Sequence, residues 1–224
     1  MAIAHHALSL IAPHMKGMDV LSLGYPDLLL TDAETEEIFG LRAKSHTNRN
    51  TRHSRPDPLP ETVDILGRFC KSFECVDIEK FSGVEKIADL NHPQDLGQFD
   101  VVLDPGTTEH CFNIGQALMN AANAVRPGGR ILHLSPVTMV NHGFYNLCPT
   151  LFHDFYKQNG WKIEHMEIRA SVGEGKEASD MINGKATERF KAMSETGICV
   201  LVQRMTDKWL SFPTQTKYLN MVNR

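Results

Sequence analysis

Short apolar runs alternate along this chain with stretches whose apolar residues recur every three or four positions. The runs read as buried strands and the periodic stretches as amphipathic helices. Asp19-Val-Leu-Ser-Leu-Gly24 is the first strand and stops at a glycine. Phe73-Glu-Cys-Val-Asp-Ile78 is the second, Val84-Glu-Lys-Ile-Ala-Asp-Leu90 a short third, and Phe99-Asp-Val-Val-Leu-Asp104 the fourth. Residues 131–134 make a fifth, and residues 161–168 and 197–203 two more. Helical spacing fills the gaps. A short leading helix covers residues 6–11, and Thr31 or Asp32 caps a helix over 33–41 whose first turn is acidic. Residues 61–70 place Val63, Leu66 and Phe69 on one face. Residues 113–125 turn Ile114, Ala117, Leu118, Ala121 and Val125 toward the sheet, and Pro127-Gly-Gly129 stops that helix. Residues 151–158 end at Asn159-Gly160, a good helix stop. Strands alternating with helices predict an α/β fold built on a mostly parallel, doubly wound sheet.

Two segments break the alternation. Residues 42–60 carry Arg42, Lys44, Arg49, Arg52 and Arg55, three prolines and almost no apolar positions. They read either as a solvated loop or as a basic lid over an anionic substrate. Residues 171–196 form a polar insertion, expected as a loop plus a helix over 186–193. The rest suits one domain spanning 1–224.

Composition narrows the classes. The 42% hydrophobic and 22% charged content is that of an ordinary globular protein. A formal charge of −4 gives no basic field for nucleic acid. No apolar run approaches the ~20 residues that span a bilayer, so no membrane partner is expected. The start, Met1-Ala-Ile-Ala-His-His6, lacks a basic segment followed by a long apolar core. Five cysteines with no Cys-x-x-Cys pair suggest neither a disulfide framework nor a zinc knuckle. A cytoplasmic protein without a metal is the expectation.

Three strands end in aspartate, namely Asp77, Asp89 and Asp104. In open parallel sheets, ligands bind outside these carboxyl ends. Asp77 can accept both hydroxyls of a ribose, Asp89 an adenine amino group, and Ile78 and Leu90 can sandwich the ring. A pyrophosphate cofactor needs Gly-x-Gly-x-x-Gly at a helix start. The first turn here, Gly24-Tyr-Pro-Asp27, has one glycine, and no P-loop is present. S-adenosylmethionine has no phosphate and carries a cationic sulfonium, which a carboxylate-lined pocket suits.

Three stretches carry a family resemblance: Val76-Asp-Ile78 with Ala88-Asp-Leu-Asn91, the run from Phe99 through Asp104-Pro-Gly-Thr-Thr-Glu-His-Cys-Phe-Asn113, and Asn141-His-Gly-Phe-Tyr-Asn-Leu-Cys-Pro-Thr-Leu-Phe152. Over residues 20–203 the chain resembles the class I S-adenosylmethionine-dependent methyltransferases, closest to a bacterial subgroup associated with sugar or cell-surface biosynthesis. The resemblance implies a Rossmann-like three-layer sandwich with a seven-stranded sheet of order 3-2-1-4-5-7-6, its last strand antiparallel. It implies cofactor contacts at Gly24, Asp77, Asp89 and Asp104, flanked by Tyr25, Ile78, Leu90 and Pro105. One departure stands out: Tyr25-Pro26 replaces the usual glycines after Gly24, which leaves open a weakened or lost cofactor site.

The implied reaction is methyl transfer to a small-molecule hydroxyl, on a sugar or nucleotide-sugar, by a protein that could be a homodimer. The alternatives are a non-catalytic binding or scaffold protein with the same fold, or another reaction of the same cofactor. A hydroxyl acceptor needs a base within hydrogen-bond reach. His110 and His142 are the candidates, because an imidazole titrates near neutrality, and Tyr145 could orient the acceptor. The structural alternatives are that His110 anchors the following helix and that His142 and Tyr145 fix their loop.

Overall fold

A computed structural model describes residues 1–47, 58–171, 177–181 and 186–222. The chain opens with β1 (Ala2–Ala4), α1 (His5–Met15), β2 (Asp19–Leu23), β3 (Asp27–Leu29) and α2 (Asp32–Phe39). Two short strands, β4 (His46–Thr47) and β5 (Leu59–Pro60), precede α3 (Thr62–Phe69) and β6 (Ser72–Asp77). Next come β7 (Lys86–Ile87), β8 (Phe99–Asp104), a 3-10 turn over Thr108–His110, α4 (Ile114–Asn123), β9 (Val125–Pro136) and α5 (Pro149–Gln158). The chain closes with β10 (Lys162–Ser171), β11 (Glu177–Met181), β12 (Thr196–Gln203) and α6 (Thr216–Val222).

The main sheet runs β11-β10-β12-β9-β8-β2-β6-β7. Seven of these strands reproduce the expected order, with β12 antiparallel to both neighbours. The eighth, β11, is an addition at the edge and pairs antiparallel with β10. It falls in the segment expected as loop plus helix, and residues 186–193 form no helix. The third strand is also shorter than expected, reduced to β7.

Side-chain alternation along the strands builds the layers. On β12, Ile198, Val200 and Val202 join one core, while Cys199 and Leu201 join the other. On β8, Val102 faces the first core, and Val101 and Leu103 face the second. The first core is completed by α4 and α5 through Ala117, Leu118, Phe152 and Phe155. The second is completed by α1, α2 and α3 through Leu8, Ile11, Phe39 and Ile65. A sheet buried on both faces reads as apolar runs rather than polar alternation, as these strands do.

Local signals set the helix ends. Thr31 and Glu34 form a reciprocal capping box on α2, and Asn113 caps α4 by accepting from the Gln116 N–H. Pro149 starts α5 at a position where its missing N–H costs nothing. The ends of the basic segment meet, because β4 pairs with β5. The middle of the expected lid, residues 48–57, lies outside the described residues. After α5, the C-terminal segment straps back over it. Asn159 Nδ2 donates to the Ser211 carbonyl, and Thr216 donates its N–H and hydroxyl to Asp154.

The interior holds one polar chain that ties three elements together. Asp104 at the end of β8 accepts from His133 on β9, with Nδ1 2.7 Å from Oδ2, and His133 Nε2 meets the Tyr156 hydroxyl of α5 at 2.5 Å. All three residues are fully buried. Burial pushes the Asp104 carboxyl up, but His133, Thr108 and the Thr107 N–H outweigh it and hold the group below the usual aspartate range. Tyr156→Phe removes only the hydroxyl, and an expected loss of about 1–3 kcal/mol follows from the stranded His133 nitrogen. His133→Leu strands a buried carboxylate and should cost about 3–5 kcal/mol. Urea denaturation measures both, and unchanged stability in the two variants would show that the chain of bonds is not formed in solution. The depressed Asp104 pKa also sets a direction in pH: its contribution is complete above the unfolded value of about 3.9 and fades as pH falls through the folded value.

Candidate functional site

At the carboxyl ends of the strands, β8 is followed by Pro105-Gly106 and the 3-10 turn that carries Glu109 and His110. Asp104 shapes this turn, accepting from the Thr107 and Thr108 N–H groups and from the Thr108 hydroxyl. The loop after β9 then folds onto it. The Glu109 carbonyl accepts from the N–H groups of Phe144 and Tyr145. Gly143 makes that approach possible, since a Cβ there would lie 2.9 Å from the Glu109 carbonyl oxygen. His142 is thereby brought beside His110, with ring centroids 5.5 Å apart.

These residues line a cleft of about 550 Å³, shared with Met1, His6, Pro105, Met139 and Arg169. Glu109 is its unusual member. The residue is fully buried, and neither carboxylate oxygen has a hydrogen-bond partner. His142 Nε2 lies 3.4 Å from its Oε1, and the nearby buried Ser135 hydroxyl is the side-chain donor at hand. Burial, and then the Asp104 charge, push the Glu109 carboxyl up to about 8. Burial and the neighbouring His142 push His110 down, which favours the neutral imidazole. A second cleft of about 380 Å³ opens near Gln98, Pro127 and Trp209 and holds none of the expected site residues.

The expected cofactor residues divide into two groups. Asp77 ends β6 with Oδ1 accepting the Ile78 N–H, while Oδ2 is buried with no partner. Burial, together with Glu85 and Glu79, raises its pKa. Ile78 beside it is 65% exposed, an apolar face open to a ring. Asp89 is half-buried and accepts from the N–H and side-chain amide of Asn91, which lower its pKa. Asn91 in turn contacts Asn113 at the start of α4, so Asp89 also orients that helix.

Others are committed elsewhere. Asp104 points inward to His133 rather than to the mouth of the sheet, and Leu90 is packed in the core. Tyr25 is buried, with its hydroxyl bonded to Glu61. The Tyr145 hydroxyl donates to the Phe112 carbonyl at 2.8 Å, which fixes the loop. Gly24 adopts φ +82, as its turn requires, and the Met1 thioether sits against it, where a Cβ would overlap. Beyond Gly24, Pro26 leads into β3, which pairs in parallel with β1 instead of starting a helix.

One observation draws the carboxylates together. Burial raises the Cys111 thiol to about 12, and Asp104, Asp89, Glu109 and Asp77 all add to that rise. The Cys111 thiol lies in the core behind these acids, and burial is the largest cause of its rise. Sequence reasoning set Glu109 at the mouth beside Asp104 and His110, as a residue that would pair with a nearby cation, but did not foresee its burial. It also missed His133, a polar residue inside an apolar strand.

The strand order decides the fold. It is the class I methyltransferase fold. Among solved structures, TehB from Haemophilus influenzae superposes with a TM-score of 0.52 at 11% identity over 89% of this chain. The N-methyltransferase NodS from Bradyrhizobium japonicum WM9, in complex with S-adenosyl-L-homocysteine, gives 0.50 at 10% identity, covering 90% of this chain and 86% of NodS. The chain spans 62% of the length of TehB. No family model and no curated protein matches the sequence. No helix among the described residues is long and apolar enough to cross a membrane.

The raised pKa of Glu109 has a consequence for stability. Its folded form binds the proton more tightly than the unfolded chain, so its favourable contribution is complete below about pH 4.3 and lost as pH rises through the folded value. In chelator-treated buffer, Glu109→Gln should gain about 1–3 kcal/mol over wild type at pH 9 and little at pH 5. Denaturant titration at the two pH values measures this, and a variant destabilised equally at both would contradict the assignment.

Proposed function

We propose that the protein transfers a methyl group from S-adenosylmethionine to a hydroxyl of a small molecule, of the sugar or nucleotide-sugar class. The observation that carries this reading is Asp77. Its unpartnered, buried Oδ2 stands at the end of β6, where the fold presents a carboxylate to a ribose, and the exposed Ile78 beside it offers a face for the adenine. A ribose hydroxyl would supply the donor that this oxygen lacks. The nucleoside end therefore fits. At the methionine end, the Met1 side chain fills the space against Gly24 and must withdraw.

When bound, the cofactor supplies an electrophilic methyl on a sulfonium: the acceptor oxygen bonds to that carbon as the C–S bond breaks, its electron pair staying on sulfur. The chain's own part is alignment and proton removal. Alignment at about 3–3.5 Å supplies much of the acceleration in such a displacement. The hydroxyl proton passes to His110, whose lowered pKa leaves its imidazole free to accept it. His142 borders the same cleft. Tyr145, held by the Phe112 carbonyl, positions the loop rather than the acceptor.

Calorimetry should show S-adenosylmethionine binding to the full chain, weakened about tenfold or more in Asp77→Ala. Full affinity in that variant would place the nucleoside elsewhere. Transfer of a labelled methyl group to a panel of hydroxylated acceptors, with loss in His110→Ala, tests the reaction. A second reading, a non-catalytic binding protein, is favoured by the Met1 side chain seated at Gly24. Folded protein that binds no S-adenosylmethionine would select it.

A further inference from the structure

The geometry points to a divalent transition-metal site formed by Glu109, His110 and His142. One ligand atom from each residue lies within 4.8 Å of the other two. Donors bound at 2.0–2.2 Å to one ion lie about 3–4 Å apart, so a small side-chain adjustment completes the cluster.

The site is built rather than incidental. Glu109 is fully buried and its carboxylate borders an open cleft, with only the Ser135 hydroxyl and its own N–H as nearby donors for two oxygens. Such a group needs a cation or a donor. His142 already faces it at 3.4 Å. The supports behind the three residues are rigid. Asp104 holds the 3-10 turn through three hydrogen bonds, and the Glu109 carbonyl clasps the Phe144 and Tyr145 N–H groups. Asn141, next to His142, adopts the left-handed region at φ 61, which turns the loop back toward Glu109.

The donor set identifies the ion. Two imidazoles and one carboxylate suit zinc, iron(II), cobalt or manganese rather than calcium or magnesium, which prefer oxygen throughout. Three protein ligands leave further positions open, as in catalytic rather than structural sites. Both histidines are exposed on the cleft side, so those positions face the cleft. For the chemistry, and here the inference rests on the methyl-transfer reading, an acceptor hydroxyl bound to the ion would lose its proton to water. With the ion bound, His110 would serve as a ligand, so the base role proposed for it above belongs to the metal-free chain.

The test uses the full chain, stripped with chelator and titrated with zinc or cobalt(II) in the absence of S-adenosylmethionine. The expected result is one ion per chain, with cobalt giving a visible d–d spectrum. Glu109→Gln and His142→Ala should each weaken binding by about 100-fold or more, with circular dichroism confirming the fold. His14→Ala, away from the cluster, should bind as wild type. His142 lies on an exposed loop, so its variant keeps the test valid if a variant of Glu109 fails to fold. Asp77→Ala should retain full metal affinity, which separates failure of the cofactor reading from failure of the metal site. Wild-type affinity in both folded ligand variants, or no binding to the wild type, overturns the inference.

Discussion

A carboxylate sealed away from water must be surrounded by donors, and Asp104 imposes that requirement on everything near it. It draws His133 from the neighbouring strand and, through it, Tyr156 from the helix packed on the sheet. On its other side it takes the backbone of the following turn. One residue thereby joins the core to the mouth of the sheet. The turn cannot relax without leaving a buried charge unpaired, so the residues it carries are held in place by the interior.

Asp104 and Glu109 stand five positions apart, yet the two acids have opposite environments. Donors on every side hold the first ionised. At the second, burial outweighs its own N–H and the Ser135 hydroxyl, and the charge of the first raises its pKa further. Paired acids pushed apart in this way commonly mark places where protons or cations are handled. Asp77 offers a free oxygen at the end of β6, and Glu109 a carboxylate on the cleft.

Most of the sheet was legible because each central strand is buried on both faces and reads as an unbroken apolar run. Order followed from the family resemblance. The strands that sequence reading missed, β1, β3, β4, β5 and β11, are short or lie at an edge and carry weaker signals. β3 is three residues long and follows a proline, so it reads as a turn. β11 is Glu177-Ala-Ser-Asp-Met181, an edge strand with no apolar run. At the site, sequence position placed Asp77 and His110 near the mouth, but not the direction of side chains. Asp104 occupies the expected strand end and points inward to His133, 29 residues away, which in turn meets Tyr156 a further 23 residues on. Pairings at such separations have no local periodicity to reveal them. His133 left one clue, a lone polar residue in Ile131-Leu-His-Leu134.

The C-terminal strap extends this connection to the far surface. Asp154 and Tyr156 are two residues apart on α5, one gripping Thr216 and the other reaching His133. Asn159 on the same helix binds Ser211 through both its amide nitrogen and its oxygen. The helix is therefore clamped between an outer fastening and an inner one. Loosening the tail exposes Asp154 and frees the helix end that keeps Tyr156 in register. The described part of the last segment, through Thr216, thus belongs to the same mechanical unit as the cleft.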